Sequence, residues 1–131
     1  MNIVSLIPAR GGSKGVQKKN IKLMAGNPLI NYTIEASISS KKISRTIVSS
    51  DDNEIINIAK KAKAEVPFVR PKELSGDKVS DFPVIKHCLN YLISEEEYIP
   101  DLLVFLRPTT PIRVFNEIDK VVEKLINNKS A

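Results

Sequence analysis

Asn2-Ile3-Val4-Ser5-Leu6-Ile7 is a short, mostly apolar run with branched residues, and it passes at once into Pro8-Ala9-Arg10-Gly11-Gly12-Ser13-Lys14-Gly15-Val16-Gln17-Lys18-Lys19-Asn20. The run has the pattern of a β-strand covered on both faces, which is how strands of parallel sheets read. Pro8 stops it. Three of the chain's five glycines fall between residues 11 and 15. Glycine lets the backbone approach a ligand closely, so Gly11, Gly12 and Gly15 can offer main-chain N–H groups to an anion. Arg10 and Lys14 flank them with different tools, a guanidinium fork that can hold two oxygens and a movable ammonium point charge. The stretch therefore reads as a strand that delivers a polyphosphate cradle. A solvated lysine-rich loop with glycines for turning is the bland alternative.

Charge distribution favours the cradle. Met1 to Ile34 holds five cations (Arg10, Lys14, Lys18, Lys19, Lys22) and no acid, while the other fifteen cations are matched by fifteen acids, so the net charge of +5 sits around the loop. Nucleic-acid binding would spread the charge along a face with aromatic platforms, yet aromatics are only 5% of the residues. The order of residues also differs from G-x-x-x-x-G-K-[ST] of a P-loop and from G-x-G-x-x-G of a dinucleotide fold.

Beyond the loop, Gly26-Asn27 marks a turn, and the spacing of Leu29, Tyr32, Thr33 and Ala36 predicts a helix over 28–40 with Pro28 in its first turn. A second strand is expected at Arg45–Ser49. Asp51 or Asp52 can then cap a helix whose stripe is Ile55, Ala59 and Ala62. A short third strand is expected at Ala64–Val69, an irregular segment at Lys72–Ser80, a helix at Asp81–Ile93 and an apolar strand at Asp101–Leu106. Ile118, Val121, Val122 and Leu125 predict a last helix, followed by a polar tail from Asn127. Strands alternating with helices give an α/β, Rossmann-like fold of one domain over 1–131, with a mainly parallel sheet and helices on both faces. Ligands of such sheets bind beyond the carboxyl ends of the strands, where Pro8–Asn20, Ser49–Asp52, Arg70–Asp81 and Arg107–Arg113 would lie. The lone cysteine, Cys88, excludes an internal disulfide and is expected in the core. No run reaches membrane-span length and the amino terminus reads as a strand, so a cytoplasmic protein with no membrane or nucleic-acid partner is expected.

The glycine loop, Lys19-Asn20-Ile21, Val48-Ser49-Ser50-Asp51, Arg70-Pro71, Glu73-Leu74, Asp77, His87 and Leu106-Arg107-Pro108-Thr109-Thr110-Pro111-Ile112-Arg113 together resemble the acylneuraminate cytidylyltransferases, also called CMP-sialic acid synthetases. The motifs keep the family's order across nearly the whole chain. The resemblance implies a three-layer nucleotidyltransferase fold and transfer of CMP from CTP to the anomeric hydroxyl of a nine-carbon 2-keto sugar acid, with release of pyrophosphate and dependence on Mg2+. By the same resemblance Ala9, Arg10, Gly11, Gly12, Ser13 and Lys14 hold the CTP phosphates, with Arg10 and Lys14 in catalytic roles. Asn20 and Arg70 hold the nucleoside, Ser80 belongs to a segment closing over the base, and Arg107, Thr109 and Thr110 meet the sugar acid. Each has a plainer reading: Asn20 as a turn cap, Arg70 as a residue fixed by Pro71, Asp77 as a solvated acid, and His87 as a satisfied structural histidine, which is preferred for His87.

Two features depart from the family. Arg107-Pro108-Thr109 stands where the sialic-acid enzymes commonly have Gln-Pro-Thr, which leaves legionaminic, pseudaminic or deaminated nonulosonic acids open as the sugar. The family also continues past the point matched by Ala131, with further strands, a dimerisation segment and a late acidic motif for Mg2+. The fold is therefore expected to be incomplete at its carboxyl end, the Mg2+ ligands to lie beyond residue 131 with none in this chain, and the full-length relatives to be homodimers. On this reading the 131-residue chain alone would bind CTP weakly and turn over poorly. A non-catalytic nucleotide-binding module and a pyrophosphorylase for another nonulosonic acid or sugar are the rival readings.

Overall fold

The computed structural model of the protein describes residues 1–11, 23–24, 26–76, 79–108 and 117–128. The expected first strand forms as β1 (Ile3–Pro8), with Ile3 to Ile7 all buried. A two-residue antiparallel hairpin follows, β2 (Leu23–Met24) against β3 (Asn27–Pro28), and Gly26 makes its turn at φ +81, a backbone region open to glycine at little cost. Then come α1 (Leu29–Ser39), β4 (Arg45–Ser49), α2 (Asn53–Lys61), α3 (Asp81–Glu96), β5 (Leu102–Phe105) and α4 (Glu117–Asn128).

β1 lies between β4 and β5 and runs parallel to both, in register Val4 with Arg45 and Ile3 with Leu102. Successive β1 side chains point to opposite faces of the sheet, and each face has its own core. Ile3 and Ile7, with Val48 and Val104, pack against Ile30 and Ile34 of α1, Ile55 and Ala59 of α2 and Val122 of α4. On the other face Val4, Leu6 and Ile47 pack against Val84, Cys88 and Leu92 of α3 and against Phe68. Each fully buried aliphatic side chain contributes about 1.5–3 kcal/mol. That is why an unbroken apolar run, rather than an alternating one, specifies the central strand. Within the first core, Ser37 of α1 lies 2.6 Å from both Ser5 of β1 and Thr46 of β4, so three buried hydroxyls satisfy one another where the strands meet the helix.

The expected third strand does not form. Around Glu65 the chain makes one parallel bridge to Ile47 on the outer side of β4. The bridge consists of Glu65 N–H donating to the Thr46 carbonyl and Val48 N–H donating to the Glu65 carbonyl. Pro67 has no N–H to continue that ladder. Two boundaries also move. Pro28 stands at the N-cap of α1, with ψ 139, rather than inside its first turn, and α3 runs three residues past Ile93 to Glu96 before Glu97 ends it in the left-handed region at φ 51. The extra turn brings Glu96 to Arg45, which lies 2.6 Å from Glu65, 3.0 Å from Glu96 and over the Tyr98 ring. Hydrogen bonding to Glu65 leads the rise of the Arg45 pKa above its ordinary value.

The chain leaves β1 to build β4 on one side, then returns past β1 to build β5 on the other. β1 is therefore the strand at which the order of the sheet reverses. In open parallel sheets the crevice at the carboxyl end of such a strand is where ligands bind, and the glycine-rich loop begins there.

Candidate functional site

At the carboxyl end of the sheet, the residues after β1 are fastened to the turn after β4. Ala9 N–H donates to the Ser49 carbonyl at 2.9 Å, and Gly11 N–H donates to Asp51 Oδ1 at 2.8 Å. Gly11 also passes so close to Asp52 that a Cβ added there would lie 2.7 Å from the Asp52 Cβ. Glycine is required at this position by contact rather than by dihedral angle. Asp52 is the N-cap of α2: its Oδ1 accepts from Glu54 N–H at 2.8 Å and Ile55 N–H at 3.1 Å. Of the two carboxylates left as alternatives by the sequence, Asp52 caps the helix and Asp51 holds the loop entrance.

Arg70 comes to the same place from the segment beyond β4. Its backbone N–H donates to the Ser50 carbonyl at 2.8 Å. Its guanidinium donates through Nε to Ser49 Oγ at 3.0 Å and through Nη2 to the Ser49 carbonyl at 2.8 Å. Only 5% of Arg70 is exposed, so a permanent cation is held almost out of water by one serine. Burial is the main cause lowering its pKa; Asp51 opposes the shift and Arg10 adds to it, which places both within its electrostatic reach. Ser49 is thus the node of the site, its carbonyl accepting from Ala9 on one side and from Arg70 on the other.

His87 stands behind Arg70 on α3. Its ring meets Phe68 edge-on at 4.7 Å, and its buried Nδ1 finds no hydrogen-bond partner among the described residues. It packs against Phe68 but is not the satisfied histidine expected. Its pKa is lowered from 6.5, first by burial and then by Arg70, with Glu73 opposing. A base with a lowered folded pKa costs nothing well above pH 6.5 and destabilises the fold as the pH falls through that value, because the unfolded chain takes up the proton more readily. Unfolding midpoints measured at about pH 7.5 and pH 5.5 should therefore fall further for the wild type than for His87→Gln. Equal falls would contradict this assignment. Cys88, the next residue, is wholly buried as expected, and burial pushes its thiol up to about 12, which makes it no nucleophile.

A second group forms where β5 ends. Arg107 is ion-paired with Asp81 in the first turn of α3 and lies with its guanidinium 5.5 Å from the Phe105 ring centre. The exposed Ser80 precedes that helix and makes no side-chain cap hydrogen bond. A cation expected to face a sugar carboxylate is here matched with a carboxylate of the protein itself.

The structure thus gathers Ala9, Arg10, Gly11 and Arg70 in one cluster and places Ser80 beside the Asp81–Arg107 pair. Gly12, Ser13, Lys14, Asn20, Thr109 and Thr110, and also Asp77, lie outside the described residues. Ser49 and Asp51 are the participants that sequence reasoning missed as site residues. The signal was a surplus: Ser49-Ser50-Asp51-Asp52 offers two carboxylates where one helix cap is needed. For magnesium, the described residues contain no group of three or more His, Cys, Asp or Glu side chains able to hold a metal ion. Asp51 and Asp52 each already accept main-chain N–H groups through Oδ1. No helix among the described residues is long and apolar enough to cross a membrane.

Comparison with known proteins places this geometry in context. The cytidylyltransferase family profile matches residues 4–130. The chain is 40% identical over 130 residues to pseudaminic acid cytidylyltransferase of Campylobacter jejuni, covering 99% of this chain and 56% of that protein. It is 37% identical over 121 residues to N-acylneuraminate cytidylyltransferase of Escherichia coli, covering 92% of this chain and 27% of that protein. It is also 36% identical over 123 residues to CMP-N,N'-diacetyllegionaminic acid synthase of Legionella pneumophila, covering 94% and 53%. The fold matches that of CMP:2-keto-3-deoxy-manno-octonic acid synthetase complexed with CTP, with a TM-score of 0.78 at 15% identity over 99% of this chain and 49% of that one. It also matches a cytidylyltransferase from Leptospira borgpetersenii, with a TM-score of 0.73 at 22% identity over 99% and 51%. The chain spans 56% of the length of the pseudaminic acid relative it matches.

Proposed function

The chain belongs to the cytidylyltransferase family, and from that premise we propose that it binds CTP at the carboxyl end of β1 and serves transfer of CMP to a nine-carbon 2-keto sugar acid of the nonulosonic type. The observation that carries the reading is the buried, serine-held Arg70 beside Arg10 and the Gly11 turn, at the strand where the sheet order reverses. Named relatives acting on pseudaminic, N-acylneuraminic and legionaminic acids support the sugar class. In the reaction the sugar's anomeric hydroxyl oxygen bonds to the α-phosphorus of CTP and loses its proton, and the bond from that phosphorus to the bridging oxygen breaks to release pyrophosphate. The protein's part is positioning and charge neutralisation. Arg10 faces the phosphates from the loop entrance, Arg70 presents a fixed cation whose geometry Ser49 sets, and Lys14 adds a further positive charge. Arg107 would meet the sugar carboxylate by exchanging Asp81 for it. Mg2+ is proposed as the counterion of the triphosphate, with ligands other than the carboxylates already engaged. The same proposal takes the protein to be cytoplasmic, where nucleoside triphosphates are held, and its full-length relatives to be homodimers.

Nucleotide choice tests the reading. CTP should raise the thermal unfolding midpoint of the chain more than UTP or GTP at equal concentration, since a ligand at free concentration L stabilises by RT ln(1 + L/Kd) and the tighter binder therefore stabilises more. Equal protection by all three would reduce the site to a general anion receptor. No protection by any of them would overturn the proposal.

A further inference from the structure

Asp51 is given no part in the proposed reaction, yet its carboxylate accepts the Gly11 N–H at the entrance of the glycine loop. We propose that Asp51 is a positioning residue for nucleotide binding: through its hydrogen bond to Gly11 N–H it locks the start of the loop, and with it Arg10, onto the turn that also aims Arg70. The inference rests on the proposed CTP site. Three contacts bind β1's exit to the Ser49–Asp52 turn: Ala9 N–H to the Ser49 carbonyl, Gly11 N–H to Asp51 Oδ1, and Gly11 packed against Asp52. Three more bind Arg70 to the same turn, two from its guanidinium to Ser49 and one from its backbone N–H to the Ser50 carbonyl. Asp52 is fixed in addition by capping α2, so the turn is anchored to a helix and cannot drift. Arg10 adds to the lowering of the Arg70 pKa, so the two cations repel, and both are thereby held on one rigid frame. Asp51 is also the carboxylate that opposes the lowering of the Arg70 pKa.

A carboxylate beside a triphosphate also repels it, so charge and geometry pull in opposite directions at this residue. Geometry dominates in the proposal. A hydrogen bond of this kind contributes enough to change a binding constant by about three- to tenfold when the ligand needs the loop held, whereas the repulsion from an exposed carboxylate is weakened by solvent.

The order of affinities among variants separates the two. Asp51→Asn keeps an oxygen acceptor for Gly11 and removes the charge; Asp51→Ala removes both. CTP titration of the wild-type chain and both variants should give the order Asn equal to or tighter than wild type, and Ala weaker than wild type by about three- to tenfold. Amide hydrogen exchange at Gly11 in the nucleotide-free chains should be several-fold faster in Asp51→Ala and unchanged in Asp51→Asn. Unfolding midpoints confirm that each variant folds. A purely structural role would lower the midpoint of both variants without the Asn rescue in affinity. Ala binding CTP more tightly than Asn would overturn positioning and make Asp51 a competitor of the phosphate. Unchanged exchange at Gly11 in Asp51→Ala would overturn it independently of any nucleotide. A wild-type chain that ignores CTP while Gly11 exchange responds as stated would instead sink the CTP site and, with it, the functional part of the inference.

Discussion

Gly11→Ala should destabilise the protein by about 1–3 kcal/mol and weaken CTP binding by at least about tenfold. The new methyl carbon would lie 2.7 Å from Asp52 Cβ and 2.7 Å from its Oδ2. The carboxylate can rotate away, but Cβ is fixed to the backbone of the α2 N-cap. Two ways of relieving the clash exist. If Asp52 yields, the helix loses a cap that accepts from Glu54 and Ile55, at a cost of about 0.5–2 kcal/mol. If the loop yields, Gly11 N–H leaves Asp51 and the start of the loop swings off the β4–α2 turn. Urea unfolding reads the first route and CTP titration the second. A variant equal to wild type in both would mean that this approach is not as close as described.

Arg70→Ala is the second large effect. The substitution removes two hydrogen bonds to Ser49 from a charged donor, each contributing about 1.5–3 kcal/mol, partly offset because a buried cation no longer has to be desolvated. A net loss of about 2 kcal/mol in stability follows, together with a fall of at least about tenfold in CTP affinity. Arg70→Lys should recover less than half of either loss. A single ammonium on a flexible stem cannot reproduce the fork that reaches both Ser49 Oγ and the Ser49 carbonyl. Full rescue by lysine would show that only charge matters at this position.

The central strand and the α2 cap were legible in the sequence because each depends on residues close together in the chain, and the parallel order because strands alternate with helices along it. Ile3 to Ile7 is apolar without alternation, and only a strand covered on both faces asks for that. The strand expected at Ala64–Val69 does not form because Pro67 has no N–H, which limits pairing with β4 to a single bridge. The end of α3 was set too early at Ile93 because Ser94, Glu95 and Glu96 look like a polar exit. The turn persists there because Glu96 reaches Arg45, a partner far away in sequence.

The site divides in the same way. Arg10, Gly11 and Arg70 could be nominated from the glycine-and-cation pattern and from the family resemblance. The assembly around Ser49 could not, because it joins residues 9, 49 and 70 through a main-chain carbonyl, and carbonyls leave no mark in a sequence. Asp51 was hidden by a sufficient explanation next door: two adjacent aspartates before a helix satisfy the need for a cap, and nothing local says that the cap needs only one of them. Arg107 was read as open to a substrate carboxylate because its partner Asp81 lies on another element.

In the proposed function, CTP meets the protein at the exits of β1 and β4. A titration of the isotopically labelled chain with CTP, followed through its backbone amide resonances, locates that contact directly. The account predicts that the largest changes fall on Ala9, Arg10, Gly11, the Ser49–Asp52 turn and Arg70. Changes centred on the β2–β3 hairpin or on α4, with those residues unmoved, would contradict it.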